Sequence, residues 1–161
     1  MDKTNLTFDS YLSDIGPDYE PFVMQIHDAL TQWGCTVKLQ EAKNGHVVSF
    51  ADPRTKRVIV NFVSRKKGPV IRIYGDNAGS YGQLINDLPQ DMVQEIEKAS
   101  ICRRMHDPAK CNSRCLMGYA LTINGTHHKK CRNSCFMFTM NARNTPSILE
   151  LLHRELQARA V

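Results

Sequence analysis

Apolar positions fall into two successive patterns in the first half of the chain. Asp9 to Ile15 reads as a short helix. After Pro17, Phe22, Val23, Ile26, Leu30 and Trp33 recur three to four residues apart, the spacing of one buried helix face, and Gly34 supplies a stop. His27 lies on that helix, where a partly exposed polar position is its plainer reading. The period then changes from helical to alternating. Val37 and Leu39 alternate with polar neighbours, and Asn44-Gly45 predicts a two-residue hairpin turn, because both positions of a type I′ turn need φ > 0. His46 to Ala51 follows as a second strand, Asp52-Pro53-Arg54-Thr55 as a turn, Arg57 to Val63 as a third strand and Val70 to Tyr74 as a fourth. Connections this short permit only antiparallel pairing. In the fourth strand Ile71 and Ile73 share one face, while Val70, Arg72 and Tyr74 share the other.

Beyond Gly75 the pattern turns helical again. A helix is predicted from Tyr81 to Leu88, and a second, short one near Pro89 with Met92, Val93 and Ile96 inward. Gly75, Gly79 and Gly82 lack the spacing and the lysine of a phosphate-cradling loop. The run CFMFTM from Cys135 reads as a buried strand. A closing helix has Thr145 as its N-cap, Pro146 as its first residue, and Ile148, Leu149, Leu152 and Leu156 as its inward stripe. The predicted fold class is α+β: an antiparallel β-meander packed by helices, a Cys-rich zinc-binding hairpin segment and a C-terminal helix. With 161 residues, 42% of them hydrophobic and 23% charged, the chain can bury a core without cross-links. No run of 18 apolar residues occurs, so no membrane span is expected. MDKTNLTFDS lacks a charged-then-apolar leader, and the expected compartment is the cytoplasm.

Charge divides the chain near residue 100. Residues 1–100 carry 11 Lys and Arg against 13 Asp and Glu, and residues 101–161 carry 10 against 3. Five of the six cysteines, Cys102, Cys111, Cys115, Cys131 and Cys135, also lie in the second part, and only Cys35 lies in the first. The expected organisation is therefore an α+β domain over 1–100 and a Cys-rich metal-binding segment with its closing helix over 101–161, packed as part of the same domain. Clustered cysteines in a reducing compartment read as metal ligands before they read as disulfides.

The spacing brings several sulfurs together. Asn124-Gly125 predicts a second hairpin in which Ile123 faces Thr126, Leu121 faces His128 and Gly118 faces Cys131. Cys131 then arrives at the open end of the hairpin, beside Cys115 and Cys111. The fourth thiol is Cys102 or Cys135. Cys135 opens an apolar strand, where a free cysteine is a common core residue, which favours Cys102; Pro108 would turn the chain from Cys102 back to Cys111. His106, His127 and His128 are substitute ligands, though His127 and His128 point to opposite faces of one strand. Four thiolates suit tetrahedral Zn2+ at roughly 2.3 Å, in a closed and therefore structural site. An iron–sulfur cluster also takes four thiolates but is expected to use closer spacings. Arg103, Arg104, Lys110, Arg114, Lys129, Lys130 and Arg132 would offset the residual negative charge. Residues 101–118 have few large apolar groups, so ligation would supply the order that burial cannot.

The segments VIRIYGDN (70–77), CNSRCLMGYALTINGTHHKKCR (111–132) and SILELLHREL (147–156) resemble a group of small Cys-rich bacterial proteins of Firmicutes type, with no assigned activity. The first half also loosely resembles small iron-chaperone-like α+β domains of YdhG type. The first resemblance implies an α+β fold with a cysteine cluster at positions matching Cys102, Cys111, Cys115 and Cys131, with Cys135 as an extra. It implies no catalytic residue.

Three functions compete. The first is a non-enzymatic, zinc-stabilised binding or regulatory protein with an anionic partner such as nucleic acid, reached through Arg57, Arg65, Lys66 and Lys67 in the strand turns. The second is a thiol-redox or metal sensor with Cys135 as a resolving thiol. The third is a small-ligand-binding domain with Arg72 and Tyr74 on one wall. No HExxH, GxSxG or paired-carboxylate pattern supports an enzyme. Cys35 follows a helix C-terminus, which does not activate a thiolate, and reads as a core residue.

Overall fold

The computed structural model describes residues 6–107, 109, 111–112 and 114–160. It is α+β. Helix α1 (Phe8–Ile15) begins with a reciprocal cap, in which Thr7 Oγ1 accepts the Ser10 N–H at 3.1 Å and Ser10 Oγ accepts the Thr7 N–H at 3.0 Å. Helix α2 (Glu20–Gln32) buries Val23, Ile26 and Leu30. Strands β1 (Thr36–Ala42), β2 (Gly45–Ala51), β3 (Val58–Arg65) and β4 (Gly68–Ile73) form the antiparallel meander. Helix α3 (Gln90–Lys98) and the short α4 (Arg103–His106) follow. The hairpin β5 (Tyr119–Ile123) and β6 (Thr126–Lys130) forms a second sheet. Strand β7 (Met137–Thr139) and helix α5 (Thr145–Arg159) complete the chain.

The main sheet has the order β1-β2-β3-β4-β7, so the distant segment 137–139 is its fifth strand, with Ile71 opposite Phe138. One face carries Val48, Phe50, Val60, Phe62, Ile71, Ile73 and Phe138 into the core, where α1, α2 and α5 add Tyr11, Ile26, Leu30, Ile148 and Leu152. Tyr11 stacks on Phe62 at 6.3 Å between ring centres, and Phe50 meets Phe62 edge-on at 5.2 Å. The other face carries Lys38, Ser49, Asn61, Arg72 and Met137 in one row across all five strands. Asn61 is buried there; its amide donates to Ser49 Oγ at 2.8 Å, and Arg72 Nε donates to the Asn133 carbonyl at 2.8 Å.

Four sequence expectations shift. The first hairpin turns at Lys43-Asn44, because Ala42 pairs with Gly45. Gly45 is spent on a close approach instead: at φ +135°, a Cβ there would stand 2.9 Å from the Ser64 Cβ and Oγ. The helix expected from Tyr81 to Leu88 is instead a pair of 3-10 turns, Ala78–Ser80 and Gly82–Leu84, since Gly82 at φ +56° interrupts an α-helix. Thr145 is the first helical residue and Asn144 precedes it as cap; the Thr145 hydroxyl donates to the Asn141 carbonyl at 2.7 Å. Leu149 is only partly buried, and Leu151 takes its place in the inward stripe. No helix among the described residues is long and apolar enough to cross a membrane.

Candidate metal centre

The second hairpin has the expected register. Asn124 and Gly125 take φ 47° and 83°, Ile123 faces Thr126 and Leu121 faces His128. Residues 100–102 run along the free edge of β6. Ile101 bridges Lys130, Cys102 N–H donates to the Lys129 carbonyl at 2.9 Å, and Cys131 N–H donates to the Ser100 carbonyl at 2.7 Å. This pairing makes Cys102 and Cys131 diagonal neighbours on one face. The junction is anchored from below: Lys130 is buried, and its Nζ donates to the Glu97 carbonyl at 2.6 Å and the Ala99 carbonyl at 3.0 Å, where the C-terminus of α3 favours a cation.

Gly118 closes over Cys102. A Cβ on Gly118 would lie 2.8 Å from both the Cβ and Sγ of Cys102 and would collide with the Lys130 carbonyl. The chain before it is held by side chains, not by burial: Ile101, Leu116 and Met117 are 59%, 50% and 38% exposed. Arg104 Nη1 donates to the Cys115 carbonyl, which ties α4 to the cysteine loop. Asn112 shapes that loop, its Oδ1 accepting the Arg114 N–H at 2.9 Å and its carbonyl the Cys115 N–H at 3.0 Å. Pro108 and Lys110, assigned turning and charge-balancing roles from sequence, lie outside the described residues.

Cys111, Cys115 and Cys131 line one cleft of about 490 Å3, shared with Arg57, Tyr74, Arg114 and Arg132. Arg132 is fixed in that wall. Its guanidinium pairs with Asp76 and lies 5.0 Å from the ring centre of Tyr74 and 5.8 Å from that of Tyr119. Cys102 is buried and does not line the cleft. Among the described residues, no three His, Cys, Asp or Glu side chains converge closely enough to hold one ion as they stand. The residue types are those a thiophilic ion takes: Cys111, Cys115 and Cys131 are half-buried and line one cleft, and Cys102 lies on the segment bridged to β6.

Cys135 sits differently. It is fully buried, and its N–H donates to the Cys131 carbonyl at 2.9 Å. Burial pushes its thiol up to about 12, with Cys131 adding to the shift and Lys130 opposing it. His106 and His127 are exposed, and His127 Nδ1 lies 2.9 Å from Thr122 Oγ1.

The residues proposed to meet an anion or ligand are spread over the molecule. Arg57 and Tyr74 line the cysteine cleft. Arg65, Lys66 and Lys67 lie at the other end of β3, about 25 Å away at the rise of an extended strand. Arg72 lies between, engaged by Asn133 and Asn61.

A buried ionic network behind the cleft was not expected from sequence. Glu155 on α5 is fully buried and accepts from Asn77 N–H at 2.9 Å, Asn77 Nδ2 at 2.7 Å, Tyr81 Oη at 2.7 Å and Arg159 Nε at 2.7 Å. Arg159 also reaches Asp76 at 3.1 Å, the partner of Arg132. The available signal was Glu155 itself, three residues after the inward Leu152 and four before Arg159.

No family model matches the chain, and neither a curated protein nor a solved structure does so.

Proposed function

We propose that the chain is a zinc-stabilised binding or regulatory protein, not an enzyme, and that it takes an anionic partner such as nucleic acid. The ligands are Cys102, Cys111, Cys115 and Cys131. The observation that carries this reading is the sharing of one cleft by Cys111, Cys115 and Cys131 with Arg57, Arg114 and Arg132. Thiols grouped beside guanidiniums are suited to holding a divalent ion while offsetting the charge of its thiolates. The placement of Cys102 on the strand beside Cys131 supports it as fourth ligand, and the burial of Cys135 within the core supports leaving that residue out. When bound, zinc would cross-link Cys102, Cys111 and Cys115 to the hairpin through Cys131, adding its binding free energy to folding. The arginines would then form a positive rim for phosphate contacts, in which Arg132 is the fixed member.

Elemental analysis of the purified chain, with thiols counted before and after chelation, tests the metal. The expected result is one zinc per chain and four thiols that become reactive when it is removed. A folded chain with no bound metal refutes the reading. Oligonucleotide binding should weaken steeply as salt rises, and salt-independent or absent binding refutes the nucleic-acid partner.

A second reading, a thiol-redox sensor, is favoured by the single turn that joins Cys131 to Cys135. Peroxide would take two electrons from these two thiols, giving one disulfide and two waters. Retention of metal and of all free thiols through mild peroxide excludes it.

A further inference from the structure

A second hollow, of about 370 Å3, opens at the end of β3 remote from the cysteines. Asp14 of α1, Tyr19, Asn44, His46 of β2, Ser64 of β3 and Lys66 line it. We propose that it binds a small phosphomonoester, independently of any metal at the cysteine cleft.

Its frame is built by two glycines that nothing larger can replace. Gly45 at φ +135° lets Ser64 Oγ approach, and Gly68 at φ +119° makes room for the Tyr19 ring, whose Cζ would stand 2.6 Å from a Cβ there. Tyr19 Oη donates to the Lys67 carbonyl at 3.1 Å and so fixes the β3–β4 turn that carries Lys66. The walls are therefore held in place by the fold before any ligand arrives, which lowers the ordering cost of binding.

Three donors around the hollow, on Ser64, Lys66 and Asn44, have no acceptor among the described residues. Ser64 Oγ accepts the His46 backbone N–H at 3.1 Å, which leaves its own proton with no acceptor among the described residues. The Lys66 ammonium and the Asn44 carboxamide likewise make no hydrogen bond to a described residue. His46 Nδ1 lies 3.4 Å from Asp14 Oδ2, which orients the ring and leaves Nε2 as its other polar atom. A hydroxyl, an ammonium, a carboxamide and an imidazole are four donors of different direction. A phosphoryl group, with three acceptor oxygens and up to two charges, uses more of them than a carboxylate can. The hollow is larger than a bare phosphate needs, and Ile15 and Pro69 give it an apolar wall for the esterified group. Ser64, His46 and Asp14 are also the residue types of a nucleophilic triad, but Ser64 meets the backbone and not the ring of His46, so the arrangement serves binding.

The test is an amide and histidine-ring NMR titration of the full chain at constant ionic strength, with phenyl phosphate, inorganic phosphate and a short single-stranded oligonucleotide as separate probes. Saturable shifts at Gly45, His46, Ser64 and Gly68, tighter for phenyl phosphate than for inorganic phosphate, are expected. Lys66→Ala and Ser64→Ala should each weaken binding about tenfold, as loss of a charge-assisted hydrogen bond does, while Arg143→Ala, on an exposed position elsewhere, should not. Linear, unsaturated shifts, or equal affinity in Lys66→Ala, overturn the proposal. Stronger shifts of the same amides by the oligonucleotide also overturn it, by assigning the surface to nucleic acid. Each outcome is read without reference to metal content.

Discussion

Replacing Glu155 with alanine tests whether the buried network holds α5 in place. The carboxylate is inaccessible to solvent and accepts four hydrogen bonds, all between 2.7 and 2.9 Å. Its removal leaves the buried Tyr81 hydroxyl and the Asn77 N–H without this acceptor and strips Arg159 of its closest anion. Breaking a buried pair from one side costs about 3–5 kcal/mol. The lower end applies here, because Arg159 keeps Asp76 at 3.1 Å and Asp52 at 4.0 Å. At about 2–4 °C per kcal/mol for a chain of this size, the melting midpoint should fall by about 10 °C. Tyr81→Phe alone should cost about 1–2 kcal/mol, and the two substitutions together should cost less than their sum, since each removes the same hydrogen bond. The phenol of Tyr81 is held well above its ordinary range by burial first and by Glu155 second, so it remains a donor throughout the measurable pH range. Urea unfolding of the two single variants and the double variant gives the cycle. A Glu155→Ala chain within about 1 kcal/mol of the parent would refute the argument that this carboxylate is a stabilising buried anion.

Two further outcomes follow from local geometry and one from titration. Gly118→Ala should destabilise by about 1–3 kcal/mol through overpacking against Cys102 and should lower bound zinc; parent-like urea midpoint and metal content would show that this contact is not restrictive. Gly125→Ala meets no described residue within 4 Å, so its cost, about 1 kcal/mol, arises from φ +83° and should leave metal content unchanged. Cys35 is buried and its thiol is raised from 9.0 to about 11, by burial first and then by Asp52, against Arg159. Above pH 9 the unfolded chain loses a proton that the folded chain keeps, so the stability due to the neutral thiol is complete below that value and declines up to about 11. The stability difference between parent and Cys35→Ala should therefore fall as pH rises through that window, by at most about 1.4 kcal/mol per pH unit; a difference that stays constant from pH 8 to 10.5 contradicts this.

The meander and the second hairpin could be read from sequence because each rests on a local signal: a β-branched apolar run in Val58–Arg65, alternation in Gly68–Ile73, and two adjacent positive-φ residues at Asn124-Gly125. The first Asn-Gly pair misled because Gly45 answers to Ser64, a residue of the next strand, and not to the turn. Docking of β7 against β4 joins positions more than 60 residues apart, for which no local pattern exists. The buried place of Glu155 is tertiary in the same sense, since its donors come from Asn77 and Tyr81 as well as from its own helix. Cysteine spacing bears on Cys111, Cys115 and Cys131, which line one cleft, but Cys102 is not among its lining residues. It could not give the shape of 101–118, where exposed Ile101, Leu116 and Met117 form no apolar stripe.

The network also bears on how the cleft keeps its charge in place. A surface arginine is mobile and gives a diffuse potential, whereas Arg132 is clamped by Asp76 and by two tyrosine rings. Asp76 is in turn held by Arg159, whose closest anionic partner is Glu155 inside the core. The cation on the cleft wall is therefore positioned by the closing helix, through alternating charges that each satisfy the next. Asp76 takes up part of the Arg132 charge, and this limits the attraction the cleft can exert on an anion. Arg57 and Arg114, both exposed, are less constrained. Binding of a phosphate partner at this rim should accordingly depend more on Arg57 and Arg114 for affinity, and on Arg132 for the shape of the wall.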